Sequence, residues 1–258
     1  MKLDCVITAT NENPLYIEFI PLFVKTWNKL YPNVDVKIIL IAEKIPEEYL
    51  GYKDNIILFE PIENVFTSFT SQFIRLLYPC LMNYENGVMI TDMDILPMNT
   101  FYFTEHIEKF SNNKFIYFGE MFRKKHQIIM CYNVATPKIW KDIFGINSLK
   151  DIRNTIKTVF QKNEIEEGSG NKGWFIDQQF LYQLVMNWNK KTDNFVCLKE
   201  KEIGFRRLDR GTFNLNNRVV RLYISNGIFS DYHCYRPMSK YSEINNAIYE
   251  LLPLQNKK

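Results

Sequence analysis

An α/β fold built on a mostly parallel sheet is what this sequence predicts, on two observations. Short apolar runs alternate with helix-spaced apolar positions through the first half of the chain. Those runs are near-continuously apolar, as strands are when helices cover both faces of their sheet.

The elements follow in order. Residues 3–8 form a strand-sized apolar run. Asn11-Glu12-Asn13-Pro14 breaks it and starts a helix, because Pro fits the first helical turn. Ile17, Ile20, Val24 and Trp27 then recur at helical spacing. Residues 34–42 and 55–59 read as the second and third strands. Phe66, Phe69, Phe73, Leu76, Leu77 and Cys80 mark the apolar face of a helix, and residues 87–91 the fourth strand. The second half is less regular. Residues 114–118 and 128–132 read as strands, 137–144 and 148–161 as helices. Residues 164–173 are polar and glycine-bearing, hence a loop. Residues 174–188 read as a helix, and 195–198 and 219–224 as strands. No repeat or low-complexity linker interrupts the chain.

Composition excludes several classes. The 258 residues carry 32 Lys+Arg against 29 Asp+Glu, a formal charge of +3, too weak for a nucleic-acid footprint. With 46% hydrophobic and 24% charged residues the chain is expected to fold around a core. No apolar run approaches the roughly 18–20 residues of a membrane span. The start Met1-Lys2-Leu3-Asp4-Cys5 has no long apolar stretch typical of a signal peptide. Five scattered cysteines without a C-x-x-C fit reduced thiols, a cytoplasmic location and no zinc ribbon.

The sharpest feature is Val88-Met89-Ile90-Thr91-Asp92-Met93-Asp94-Ile95-Leu96-Pro97. An apolar strand runs into Asp-x-Asp. In extended chain alternate residues point the same way, so Asp92 and Asp94 present two carboxylates together. Ligands of open α/β sheets gather at the carboxyl ends of strands. Two carboxylates that close repel unless water solvates them or a cation lies between them. Oxygen ligands suit Mg²⁺ or Mn²⁺.

Strand, Asp-x-Asp, an apolar residue and Pro resembles the metal motif of GT-A fold glycosyltransferases of the glycogenin and galactosyltransferase type. Ser71-Gln72-Phe73-Ile74-Arg75-Leu76-Leu77-Tyr78-Pro79 resembles the helix that leads to that motif. Trp174-Phe175-Ile176-Asp177-Gln178-Gln179-Phe180-Leu181 resembles the family's Asp-Gln-x-x-Leu segment. Asp231-Tyr232-His233-Cys234-Tyr235-Arg236-Pro237 is similar to its His-x-x-Gly-x-Lys-Pro ending, with Arg236 near the place of Lys and no Gly after His233. The resemblance implies a GT-A-like fold, with a Rossmann-like central sheet and a smaller acceptor-side region. It implies one domain over 1–258. About 1–98 would bind the nucleotide-sugar; about 99–258 would bind the acceptor and carry a closing metal and diphosphate segment.

It further implies a metal-dependent transfer from a nucleotide-sugar, a UDP-sugar with Mn²⁺ (or Mg²⁺), to a glycan or other sugar hydroxyl. Asp92 and Asp94 would hold the metal, with His233 as third ligand. Arg236 and Lys240 would pair with diphosphate oxygens. Thr8, Ala9, Thr10 and Asn11 close the first strand, where hydroxyls and amides can read a base, and Tyr16 can stack on it. Ser71, Thr91 and Met93 complete the donor set. Arg75, at the edge of its helix's apolar face, either meets solvent or reaches the nucleotide. Asp177 is expected to face the reacting carbon or the acceptor, as general base in an inverting enzyme; in a retaining one Asp177 or Gln178 would orient the charged centre. Glu120, Asn133 and Trp174 are acceptor candidates, Trp174 through its ring face. His106 and His126 lack such context and are read as non-catalytic.

Gly168-Ser169-Gly170-Asn171-Lys172-Gly173 matches G-x-G-x-x-G, but charged residues precede it where the dinucleotide fingerprint needs a strand. It is expected instead to be a lid over the donor. The basic clusters Arg123-Lys124-Lys125 and 206–210 read as solvated surface, with an acidic or phosphorylated acceptor as the sharper alternative. A phosphohydrolase of the haloacid-dehalogenase type also places Asp-x-Asp after a strand. It wants Thr or Val where this chain has Leu96, and a later acidic pair that is missing here. A non-catalytic sugar-nucleotide-binding module would need only a groove, not three separated polar motifs.

Overall fold

The computed structural model describes residues 1–121, 125–168 and 170–253. Arg123 and Lys124 of the first basic cluster, and Ser169 of the glycine-bearing loop, lie outside them. A seven-stranded sheet runs through the molecule in the order β3-β2-β1-β4-β7-β6-β8. Its strands are β1 (Leu3–Asn11), β2 (Asp35–Ile41), β3 (Ile56–Phe59), β4 (Gly87–Ile90), β6 (Phe115–Phe118), β7 (Asn133–Ala135) and β8 (Phe195–Leu198). The first four are mutually parallel, and β7 is antiparallel to both of its neighbours. A small second sheet, β5 (Ile95–Pro97), β10 (Asp231–His233) and β9 (Arg207–Asp209), ties the stretch after β4 to the late chain.

Apolar side chains cover both faces of the large sheet. On one face Val6, Ile38, Met89 and Ile116 pack with α2 (Ile20–Leu30) and α4 (Tyr102–Glu108). On the other, Ile7, Ile39, Ile90 and Tyr117 pack with α3 (Thr67–Leu77), α5 (Pro137–Phe144), α6 (Leu149–Lys162) and α7 (Ile176–Thr192). The two-sided burial accounts for the unbroken apolar strands. Helix starts carry side-chain caps: Asn13 before α1 (Pro14–Ile17), Thr136 before Pro137, and Ser148 before Leu149. Gly145 closes α5 in the left-handed conformation at φ 69°.

Two expected strands are corrected. Residues 219–224 lie in helix α8 (Arg218–Ser225), started by Asn217, whose side chain accepts from the Val219 amide. The β-branched Val219-Val220 pair suggested a strand, but capping and burial of Ile224 favour the helix. Residues 128–132 form an irregular turn before β7, because the Asn133 amide donates to the Ile129 and Met130 carbonyls (2.8 and 2.9 Å). The last helix is α9 (Met238–Leu251). Among the described residues no helix is long and apolar enough to cross a membrane.

Candidate functional site

The carboxyl ends of β1 and β4 open onto a cavity of about 560 Å³. Its wall takes Ala9, Thr10 and Asn11 from β1, Tyr16 from α1, and Asp92, Met93 and Asp94 after β4. Ser71, Gln72 and Arg75 come from α3, Trp174 from just before α7, and Asp177 and Gln178 from its first turn. His233 ends β10, and Arg236 follows it before α9. Segments far apart in sequence thus meet in one hollow.

The two aspartates have different partners. Asp92 forms an ion pair with Arg75, whose Nη1 also donates to the Thr91 carbonyl at 3.1 Å and whose Nε donates to the Gln72 carbonyl at 3.3 Å. Of the two alternatives for Arg75, pointing to solvent is excluded: it is buried at the base of the site. The Asp92 amide donates to the Cys131 sulfur at 3.1 Å. Asp94 is buried and at Oδ2 meets two guanidinium groups and an imidazole: Arg210 Nη1 at 3.2 Å, Arg236 Nη1 at 3.3 Å and His233 Nε2 at 3.4 Å. Burial pushes the Asp94 carboxyl up, but the His233 contact and the Arg236 and Arg210 charges outweigh it and hold it below the usual range. The other His233 nitrogen, Nδ1, lies 2.8 Å from Asp209 Oδ1. Arg236 also bonds the Tyr16 hydroxyl and sits 4.9 Å from the centre of that ring.

Asp177 lies in the first turn of α7 and is 2% exposed. It accepts from the Gln178 amide at 2.8 Å. Burial raises its carboxyl to about 6, against the opposing charge of Arg75 and that backbone bond. A carboxyl there changes charge close to neutrality, the range a general base needs. Trp174 lines the cavity and accepts from Gln72 Nε2 at 2.7 Å through its carbonyl.

Five of the residues singled out in sequence are not among those lining the cavity. Thr8 is fully buried in β1, its hydroxyl without a partner among the described residues. Thr91 is buried beneath the site and serves it through its carbonyl. Asn133 is buried and spends its amide on the turn before β7. Glu120 is exposed beyond β6. Lys240 is exposed on α9, its ammonium 5.1 Å from the Tyr241 ring centre. His106 packs against the Tyr102 ring and His126 against Tyr182; neither lines the cavity.

The 206–210 cluster holds what sequence reasoning missed. Arg207 makes two bonds to the buried carboxylate of Asp231 (2.9 and 2.6 Å), which also accepts from Tyr132 at 2.6 Å. Arg210 lines the cavity, and Asp209 orients His233. Alternation in Arg207-Leu208-Asp209 was the available signal for a short strand. Ile165, Glu166, Glu167 and Gly168 of the glycine-bearing loop also line the cavity, and Glu167 accepts from the Ser68 hydroxyl on α3 at 3.0 Å. The loop follows α6, not a strand, so the dinucleotide fingerprint is absent.

The site's own groups fit a hard divalent cation in chemistry: two carboxylates and an imidazole facing one of them. Asp209 orients His233 through Nδ1 and turns Nε2 toward Asp94, the outer-shell arrangement usual behind metal-bound histidines. Among the described residues no three His, Cys, Asp or Glu side chains are grouped at metal-holding distances. Arg75 engages Asp92, and two arginines fill the space around Asp94.

Protein-family models and curated proteins give no match to this chain. Solved structures do. The galactosyltransferase LgtC, in complex with donor and acceptor sugar analogues, aligns over 96% of both chains with a TM-score of 0.51 and 11% identity. The glycosyltransferase GlyE of Streptococcus pneumoniae TIGR4 aligns with a TM-score of 0.53 and 14% identity. That match covers 97% of this chain and 60% of GlyE, so the chain spans about three fifths of that protein. At these identities the likeness is one of fold, and the fold is GT-A-like.

Proposed function

We propose that the protein transfers a sugar from a nucleotide-sugar, a UDP-sugar, to a hydroxyl of a glycan or other sugar, with Mn²⁺ or Mg²⁺ as cofactor. One observation carries this: three polar motifs, at 92–94, 177–178 and 233–236, line a single cavity at the carboxyl ends of β1 and β4. The GT-A-like fold supports it, since LgtC with its donor and acceptor analogues shares that fold.

Asp92, Asp94 and His233 would hold the metal, which when bound supplies a Lewis acid for the charge on the departing diphosphate. Arg75 keeps the Asp92 end of the motif fixed by bonding the Thr91 carbonyl just before it and pairing with Asp92 itself. Arg236 is placed beside Asp94 and Tyr16, where a guanidinium can pair with a diphosphate oxygen while the Tyr16 ring meets the nucleoside. Asp177 takes or positions the acceptor proton, and Gln178 borders the same space. The loop of 164–173 would exclude water over the bound donor. Thr8, Ala9, Thr10, Asn11, Ser71, Thr91 and Met93 remain donor-side assignments. Trp174 remains an acceptor-side assignment, as do Glu120 and Asn133 despite their places away from the cavity wall.

The test is a thermal-shift and hydrolysis screen of nucleotide-sugars with and without Mn²⁺. A Mn²⁺-dependent shift and slow hydrolysis of at least one UDP-sugar are expected. No response to any donor would overturn the proposal in favour of a phosphohydrolase, and a shift without any hydrolysis would overturn it in favour of a binding module.

A further inference from the structure

We infer that Arg210 is an exchangeable counter-ion: it neutralises Asp94 in the free protein and moves to the donor's diphosphate when a divalent cation takes Asp94. This rests on the donor and metal assignment above and adds a residue and a coupling to it.

Three arginines stand at the aspartate pair, and their attachments differ. Arg75 is buried and holds the Thr91 and Gln72 carbonyls besides Asp92, so moving it would take its donor from the buried Thr91 carbonyl. Arg236 is held by the Tyr16 hydroxyl and ring as well as by Asp94. Arg210 has a side chain 26% exposed, and it is bonded only to Asp94 Oδ2 and to the Cys234 carbonyl (2.9 Å) among the described residues. Its backbone is fixed, since its amide donates to the His233 carbonyl at 3.2 Å and the next amide donates to the Tyr235 hydroxyl at 2.7 Å. The guanidinium can therefore swing by side-chain rotation alone, inside a cavity it already lines.

Charge supplies the drive. A divalent cation on Asp94 beside a guanidinium 3.2 Å from the same oxygen is a like-charge conflict. A diphosphate offers the displaced guanidinium bidentate oxygen acceptors of matching geometry. Metal and diphosphate then help each other, and by linkage the help is equal in both directions. Arg210 is thus a positioning residue whose removal has opposite effects on the two ligands. A merely structural role, holding Cys234 and the end of β10, would weaken both.

The experiment uses the full chain, with Mn²⁺ alone followed by electron paramagnetic resonance and UDP followed by calorimetry at saturating Mn²⁺. In Arg210→Gln, Mn²⁺ affinity without nucleotide should rise severalfold, and UDP affinity should fall about tenfold, the size of one lost charged hydrogen bond. The UDP-induced tightening of Mn²⁺ expected in wild type should shrink. Arg210→Lys, which keeps the charge, should lie between the two in both titrations. Parallel weakening of both ligands, or no change in either, in variants with wild-type melting curves would overturn the inference. If wild type bound neither Mn²⁺ nor UDP, the proposed function itself would fall instead.

Discussion

Asp92 and Asp94 stand two residues apart, yet their surroundings differ in kind. The Asp92 side chain is 36% exposed and is held by one buried arginine. Asp94 is 6% exposed, and its three partners, Arg210, His233 and Arg236, are each about a quarter exposed. The solvated carboxylate thus has a rigid partner, and the buried one counts the movable Arg210 among its partners. An anchored aspartate fixes where the motif points. A buried aspartate with a displaceable counter-ion, Arg210, holds negative charge that a metal can claim. A pair in one uniform setting could not do both.

The sharpest way to break this comparison is to remove Asp94. Asp94→Ala should lower sugar transfer by roughly a thousandfold or more, as loss of metal-based charge stabilisation does. The fold should persist, because the Arg210, His233 and Arg236 side chains left behind reach water. Full activity, measured by donor turnover, would sink the metal assignment. Next comes a pair that looks similar and is not part of the cavity wall. Arg207→Ala strands the fully buried Asp231 and should cost about 3–5 kcal/mol in denaturant unfolding. A loss under about 1 kcal/mol would mean that the pair does not brace β9 and β10.

A smaller effect concerns pH. Asp177 in the folded protein ionises near 6, above an unfolded carboxyl. Its contribution to stability is therefore full below about pH 4 and lost as pH rises through about 6. If the ionised form is the one that acts, kcat/KM should rise with an acid limb near pH 6 that disappears in Asp177→Asn. That variant should melt higher than wild type at pH 8, with the gap closing below pH 5. An unshifted acid limb in Asp177→Asn would remove the residue from proton transfer. The smallest effect is expected at His106→Gln, within about twofold of wild-type turnover, because its ring stacks on Tyr102 away from the cavity.

The first four strands were legible because two-sided burial writes an unbroken apolar run, and β2 (Asp35–Ile41) lies within the run read from sequence. Helix starts were legible where Pro follows Asn or Thr, as at Asn13 and Thr136. Strands β5, β9 and β10 were not, since three residues are too few for a period and β5 pairs with β10 across more than a hundred residues. That gap hid Arg210 and Asp209, whose roles exist only once β9 lies beside β10. The Val219-Val220 pair misled in the opposite direction, because propensity was weighed without the Asn217 cap.

The most direct test of the central claim is calorimetric titration of UDP into the wild-type chain with Mn²⁺ present and after chelation. Tight binding with Mn²⁺, reduced at least tenfold by chelation, is predicted from the shared use of Asp94 by cation and metal. Equal UDP affinity with and without the metal would contradict it.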